Sequence, residues 1–145
     1  MSEPCRITVQ VIDNEVNRLQ AMLATLVSEN ITIIATHDDE IGALNFAVKH
    51  GPSVILLNHR FRGPQSAEYI GFLSKDVQSS KILLLGNKLS DDEVIKCLVS
   101  GAHGYLEFNV LDKFIDKAIK SIFDGEAWVT RRMVGLLLDR FRNIQ

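Results

Sequence analysis

Ser53-Val54-Ile55-Leu56-Leu57-Asn58 is the stretch that decides the fold of this 145-residue chain. Four consecutive apolar residues end on a polar amide, and Gly51-Pro52 stops the helical pattern that precedes them. A strand that is apolar at every position is typical of a parallel sheet covered by helices on both faces. Residues 82–85 repeat the pattern. The two runs predict central strands of an α/β protein.

The segments around these two runs alternate between strand and helix patterns. Apolar and β-branched runs predict five strands, at residues 7–12, 31–36, 54–57, 82–85 and 103–106. Helical spacing predicts five helices, at residues 15–28, 39–50, 67–76, 91–99 and 111–123. In the second helix the pattern places four residues on the buried side, Ile41, Leu44, Ala47 and Val48. This alternation predicts a doubly wound, flavodoxin-like parallel sheet.

Composition limits the function classes. Hydrophobic residues at 46% and charged residues at 23% are typical of one globular domain that needs no disulfide or metal. A net charge of −2 argues against nucleic-acid binding by this chain itself. Cys5 and Cys97 match no metal-ligand spacing, which predicts reduced thiols in a cytoplasmic protein. No secretory signal and no membrane span is predicted, since no apolar run approaches about 20 residues.

The carboxyl ends of parallel strands meet at one edge of a sheet, where such folds place their chemistry. Four predicted strands end there in short polar or small segments, Asp13-Asn14-Glu15, Asn58-His59-Arg60, Gly86-Asn87 and Glu107-Phe108. A site for Mg²⁺ and phosphate needs several carboxylates, a hydroxyl and a lysine. This edge offers no hydroxyl after the fourth strand and no lysine after the fifth.

Three stretches carry a family resemblance, Pro52 to Asn58, Gly101-Ala102-His103-Gly104-Tyr105-Leu106, and Phe123-Asp124-Gly125-Glu126-Ala127-Trp128-Val129. Over essentially its whole length the chain resembles the receiver domain of two-component response regulators, in particular the NarL/LuxR-type branch. The resemblance implies a CheY-like fold, with residues 1–126 as the receiver-like domain and 127–145 as a C-terminal helix or linker. It also implies a role in signal transduction and transcription regulation.

The phosphorylation site of that family can be placed on this chain residue by residue. Its acidic pair falls on Asp13 and Asn14, and its phosphate-accepting aspartate falls on Asn58. Its hydroxyl residue falls on Gly86 and its lysine on Phe108. A neutral amide oxygen is a far poorer nucleophile than a carboxylate. The resemblance therefore implies a degenerate, pseudo-receiver site without a catalytic residue, metal or cofactor.

Two further family positions concern signalling. The loop proline of the family falls on Arg62, whereas its aromatic switch position is filled by Tyr105. Because phosphorylation, which triggers the switch in the family, is not expected here, Tyr105 is expected to adopt one rotamer. The conformational equilibrium is expected to be fixed in one state or to be set by a partner or ligand. Gly86 is expected to leave room for this ring to turn inward, and Phe108 to offer it apolar contact.

Other polar residues have simpler interpretations. His59 and His103 match no metal-ligand spacing. The acidic runs at 38–40 and 90–93 precede helices, which predicts capping and helix-dipole roles. The basic segment 60–62 is interpreted as a solvated loop in preference to an anion site. Cys97 has only Lys96 beside it, which is weak support for a redox role.

Residues 131–143 predict a sixth, amphipathic helix that Thr130 caps. Its apolar stripe is the candidate dimer or partner surface, formed by Met133, Val134, Leu137, Leu138 and Phe141. In the resembling family this region leads into a helix-turn-helix DNA-binding domain. Two interpretations stay open: a piece of a transcription factor that continues beyond Gln145, or a stand-alone pseudo-receiver.

Three function hypotheses follow from these patterns. The first is a phosphorylation-independent regulatory and dimerisation module of a LuxR-type DNA-binding transcriptional regulator, acting as a homodimer. The second is a stand-alone pseudo-receiver that docks a protein partner or a small ligand. The third, an enzyme, is the weakest because no nucleophile–base pair or phosphate loop appears in the sequence. The sequence therefore predicts a protein that is not an enzyme.

Overall fold

A computed structural model describes residues 6–143, so that Cys5 and Gln145 lie outside the described part of the chain. Five parallel strands form one sheet in the order β2-β1-β3-β4-β5, which confirms the predicted doubly wound, CheY-like fold. The strands are β1 Ile7–Ile12, β2 Ile31–His37, β3 Val54–Asn58, β4 Lys81–Gly86 and β5 Gly104–Glu107. The helices are α1 Val16–Leu26, α2 Glu40–His50, α3 Ser66–Asp76, α4 Asp91–Ser100, α5 Leu111–Phe123 and α6 Arg131–Asn143.

The sheet separates two apolar layers, and β3 contributes to both. Val54 and Leu56 pack with α1 and α5 on one face, in a cluster that includes Leu19 and Ile119. The alternate residues Ile55 and Leu57 pack on the other face, against α2, α3 and α4. Every residue of β3 is buried, as the all-apolar run predicts. No helix within residues 6–143 has both the length and the hydropathy required to span a bilayer.

Helix α2 corrects part of the predicted buried face of the second helix. Ala47 is fully buried and Leu44 packs against the core, as predicted, whereas Ile41 and Val48 are 75% and 57% exposed and Ala43 is buried instead. The small alanine face lets the helix backbone approach β1 closely, and the buried Gln10 amide donates a hydrogen bond to the carbonyl oxygen of Ala43 at 2.9 Å. A face of branched residues would hold the helix further from the sheet, so Ala43 lies on the buried side in place of Ile41 and Val48.

Side-chain caps begin three of the helices where the sequence predicts them. The carboxylate of Asp39 accepts a hydrogen bond from the backbone N–H of Gly42 at 2.7 Å. The Ser90 hydroxyl accepts one from Glu93 at 3.2 Å, and Thr130 accepts one from Met133 at 3.1 Å. These contacts satisfy N–H groups that have no partner inside the helix. The capping interpretation of the two acidic runs is confirmed.

His103 links β4 to the start of β5, and its contact makes stability dependent on pH. Its Nδ1 accepts a hydrogen bond from the backbone N–H of Ile82 at 3.0 Å, so this nitrogen carries no proton. Burial, aided by the charge of Lys81, lowers the pKa of His103. An unfolded histidine has a pKa of about 6.5. The folded state therefore binds this proton less readily than the unfolded state.

We expect the contribution of His103 to stability to be complete above about pH 6.5 and to decline as the pH falls from there through its folded pKa. Urea titrations between about pH 5 and pH 8 measure the free energy of unfolding over this window. His103→Asn keeps an acceptor near the position of Nδ1 and cannot titrate. The free energy of unfolding of this variant should therefore decline less than that of the wild type as the pH falls. An equal decline in both proteins would contradict the assignment.

Candidate functional site

The structure brings three of the predicted site residues together at the carboxyl edge of the sheet. Asp13 follows β1 directly, Asn14 comes next, and Asn58 is the last residue of β3, the strand that pairs with β1. Asp13 is fully buried and Asn58 is 4% exposed, whereas Asn14 faces solvent. The adjacent strand ends of β1 and β3 therefore place one buried carboxylate beside two amides.

Arg60 completes this cluster with a positive charge. Its Nε donates to Asp13 Oδ1 at 2.8 Å and its Nη2 to Asp13 Oδ2 at 2.6 Å. Such a bidentate pair is a strong, charge-assisted contact. The hydrogen bond to Asp13 is the main cause of a raised pKa of Arg60, against the opposing effect of burial. The guanidinium stays charged, and its side chain is 44% exposed, with Glu15 lying 3.8 Å away on the solvent side.

The backbone of Arg60 is held as well. Asn14 donates from Nδ2 to the Arg60 carbonyl oxygen at 3.1 Å. The Arg60 N–H points to the side-chain oxygen of Asn58 at 3.4 Å. All three predicted residues thus contact Arg60, which the sequence places at the same strand edge but not among the predicted site residues.

Residues 60–62 remain partly solvated, as interpreted, but their two arginines also form ion pairs. Arg62 pairs with Glu40 at the start of α2, and Arg60 pairs with Asp13. Both arginines therefore tie this loop to neighbouring elements. The available signal was an arginine two residues after β3, on the strand edge that holds one remaining carboxylate.

Comparisons with known proteins agree with this architecture. No family model matches the chain. It is 26% identical over 116 residues to the oxygen regulatory protein NreC of Staphylococcus epidermidis, covering 79% of this chain and 53% of NreC. It is 25% identical over 131 residues to the transcriptional regulatory protein LiaR of Bacillus subtilis, covering 90% and 62%. The isolated REC domain of RcsB from Salmonella enterica serovar Typhimurium superposes with a TM-score of 0.80 at 16% identity, covering 92% of this chain and 99% of that one.

The chain has the receiver fold, and its sequence is similar to response regulators of the NarL/LuxR type. It spans little more than half the length of the curated relatives that it matches. The RcsB superposition shows the shared fold.

The residues of this receiver domain do not fit the Mg²⁺ that the fold family implies. Both oxygens of Asp13 accept hydrogen bonds from the Arg60 guanidinium, and Oδ1 also accepts one from the Asn14 N–H at 2.7 Å. The other two positions offer neutral amides, whereas Mg²⁺ binds preferentially to carboxylates. Within residues 6–143, no group of three or more His, Cys, Asp or Glu side chains is arranged to hold a metal ion.

The space beside Gly86 is filled by other side chains. A Cβ at this position would lie 2.6 Å from Cδ1 of Leu89 and 3.0 Å from Cε2 of Tyr105. Both distances are shorter than ordinary contacts between carbon atoms. The receiver domain therefore has no room for a hydroxyl-bearing side chain here unless Leu89 moves.

Tyr105 and Phe108 pack in different layers, which corrects the expected contact between them. Tyr105 packs with Leu89 on the face of α2, α3 and α4, whereas Phe108 packs on the face of α1 and α5. Successive residues of a strand point to opposite faces, so Tyr105 lies on the face of α2, α3 and α4 and Leu106 on the face of α1 and α5. Phe108 borders a small cavity of about 180 Å³ beside Arg60.

The hydroxyl of Tyr105 has a defined partner. It donates to Glu107 Oε1 at 2.6 Å, and Glu107 Oε2 accepts the backbone N–H of Lys88 at 3.0 Å. Burial, followed by the hydrogen bond to Glu107, raises the pKa of Tyr105. The tyrosine therefore remains a neutral donor, and its single rotamer stays a prediction.

A second link joins the loop after β3 to α4. His59 Nε2 lies 2.9 Å from Oε1 of Glu93, in the first turn of α4, and both side chains are largely buried. His59 also uses its carbonyl oxygen, which accepts the Ser66 hydroxyl at 3.0 Å. The histidine is thus a structural connector between loop and helix, a role that its isolated position in the sequence does not indicate.

Helix α6 packs on its own domain and divides the predicted apolar stripe in two. Arg132 pairs with Asp91 on α4, and Leu137 borders a groove of about 400 Å³ that Leu98 and Ile122 also line. Met133 is half-buried as well. The remaining three residues are exposed, Val134, Leu138 and Phe141. We call these three the outer stripe of α6.

Proposed function

We propose that this receiver domain is a phosphorylation-independent regulatory module of a LuxR-type DNA-binding transcriptional regulator. The observation that carries the proposal is the acceptor position itself. Asn58 is a neutral amide, and its neighbouring carboxylate Asp13 is already paired with Arg60. The site therefore has neither the nucleophile nor the free carboxylates that phosphoryl transfer requires.

The names of the curated relatives support the regulatory setting. LiaR is a transcriptional regulatory protein and NreC an oxygen regulatory protein, and both are longer than the matched part. We propose that a DNA-binding domain belongs to the same protein as this receiver domain, and that the protein is cytoplasmic. The acidic net charge of −2 supports assigning DNA contacts to that further domain.

We further propose that the module is a homodimer. The outer stripe of α6 is apolar and exposed, which is typical of an interaction surface. Because no phosphate is needed to create this surface, the dimer should form without a phosphodonor.

A second candidate function, docking of a small ligand, is favoured by one cleft. The cleft has a volume of about 670 Å³ and lies between Tyr105 and the start of α6. Phe114 and Trp128, whose ring centroids lie 6.0 Å apart, form part of its wall. An aromatic-lined cleft of this size is suitable for a planar, largely apolar molecule.

Incubation with acetyl phosphate and Mg²⁺ tests the principal proposal. We expect no phosphoryl adduct of about 80 Da on the wild-type chain in intact-mass spectra, because Asn58 cannot form an acyl phosphate. A phosphorylatable receiver domain treated in parallel serves as the control. Deamidation of Asn58 would appear as a gain of about 1 Da before incubation. An adduct that maps to residues 54–62 of the undeamidated chain would refute the proposal.

A further inference from the structure

We infer that Arg60 is a built-in cation that takes over the electrostatic role of a divalent metal at this strand edge and holds the loop after β3 in one state. The inference rests on the proposed function and deepens it. Arg60 is the group that keeps the site in one arrangement, since neither a metal ion nor a phosphoryl group fixes that arrangement.

The charges at the site carry the first part of the argument. Asp13 is fully buried, and a buried carboxylate is tolerated only when it is paired and hydrogen-bonded. Arg60 meets both conditions through two hydrogen bonds of 2.8 and 2.6 Å. Asp13, Arg60 and the nearby Glu15 together carry a net charge of −1, so a divalent ion added beside them would leave an excess of one positive charge. The guanidinium therefore opposes the metal by its charge and by occupying both Asp13 oxygens.

The amides carry the second part of the argument. Asn14 donates to the carbonyl oxygen of Arg60 at 3.1 Å. An ionised aspartate accepts hydrogen bonds only, so it could not make this contact. Asn58 adds no charge next to Asp13. The two amides and the arginine are thus mutually consistent: Asn14→Asp would lose its hydrogen bond to Arg60, and Asn58→Asp would add a second buried carboxylate next to Asp13.

The same loop reaches the surface that we propose for dimerisation. Arg60 fixes one side of the loop, and the adjacent His59 contacts Glu93 in the first turn of α4 at 2.9 Å. α4 in turn carries Asp91, which pairs with Arg132 of α6. A loop held by Arg60 therefore holds α4 and the base of α6, without any change at Tyr105.

Mn²⁺ titration followed by two-dimensional NMR of the full chain tests this inference. A paramagnetic ion bound at the site broadens the amide signals of Asp13, Asn14, Asn58 and Arg60. We expect no selective broadening in the wild type or in Asn58→Asp. We expect it in the double variant Arg60→Met with Asn58→Asp, with at least a tenfold gain in apparent affinity for Mn²⁺ over Asn58→Asp alone, about the effect of one favourable charge contact.

Arg62 provides the matched control, since it lies in the same loop and pairs with Glu40 instead of Asp13. Arg62→Met with Asn58→Asp should show no gain. If the Arg60→Met double variant does not fold, Arg60→Gln with Asn58→Asp carries the same expectation, because glutamine can still donate to Asp13 but has no charge.

Selective broadening in the wild type would overturn the inference, as would equal Mn²⁺ affinities of the Arg60 and Arg62 double variants. Neither result would affect the proposed independence from phosphorylation, which fails if the wild type accepts a phosphoryl group. The two assays therefore separate the two claims.

Discussion

Asn58→Asp alone is expected to leave this receiver domain essentially unphosphorylated by acetyl phosphate. The new carboxylate would be a competent nucleophile, but the groups that stabilise the transferring phosphoryl oxygens would still be missing. Asp13 remains engaged by Arg60, Gly86 supplies no hydroxyl, and Phe108 supplies no ammonium group. Loss of a single stabilising group of this kind lowers a rate by about 10²–10³-fold. Several such losses should keep the adduct below detection on the time scale of an ordinary receiver.

Intact-mass spectra of Asn58→Asp, recorded over a time course with Mg²⁺ and acetyl phosphate, measure this result. A quadruple variant, Asn14→Asp, Asn58→Asp, Arg60→Met and Phe108→Lys, is the informative comparison because it restores charges and removes the guanidinium. We expect it to gain more adduct than the single variant. Rapid, complete labelling of Asn58→Asp would show that Arg60 and the neutral positions do not disable the site.

The second large effect concerns the two sides of α6. We expect the wild type to dimerise at micromolar concentration without a phosphodonor and Leu138→Asp to be monomeric there, because a charge would be buried in the interface. Leu138 is 50% exposed on the outer stripe, whereas Leu137 faces the groove on its own domain. We expect Leu138→Asp to lower the dimerisation affinity at least tenfold, which corresponds to about 1.4 kcal/mol of binding free energy. Burying one unpaired charge in the interface costs more than this.

Sedimentation velocity and the fluorescence of Trp128, the single tryptophan, together distinguish the two positions. Leu138→Asp should change the oligomeric state and leave the fluorescence unaltered, since α6 stays docked. Leu137→Asp should detach α6 and alter the fluorescence, because Trp128 borders the same cleft as Met133 of that helix. Ser79→Asp, at an exposed position on the loop before β4, is the surface-charge control. A strictly monomeric wild type would remove the homodimer proposal and favour partner or ligand docking.

The order of strands and helices follows from local patterns that survive in the structure. The all-apolar runs became central strands because a strand with helices on both faces has no polar side. Helices α5 and α6 begin and end at the residues that the sequence predicts, because caps and apolar spacing act within a few residues. The burial of Ala43 in place of Ile41 and Val48 on α2 was not predictable in this way. It depends on how closely the helix approaches Gln10 of another element.

The predicted site was incomplete for a related physical reason. The family resemblance identifies the carboxylate, hydroxyl and lysine that are missing at Asn58, Gly86 and Phe108. The group that pairs with Asp13 instead, the Arg60 guanidinium, lies at none of these positions. Arg60 reaches the end of β1 from a loop 47 residues away in sequence, and only the folded chain brings the two together. Asn58 is buried at the end of β3, so a charge placed there should destabilise the fold by about 1–3 kcal/mol.

The filled space at Gly86 has a consequence for redesign of the site. Any side chain at this position first meets Leu89, 2.6 Å from the new Cβ, and then the ring of Tyr105. A hydroxyl-bearing side chain introduced here would therefore overpack the site, which typically destabilises a protein by about 1–3 kcal/mol, unless Leu89 moves or is first made smaller. A redesign that places a hydroxyl at this position is thus expected to require a second change, at Leu89.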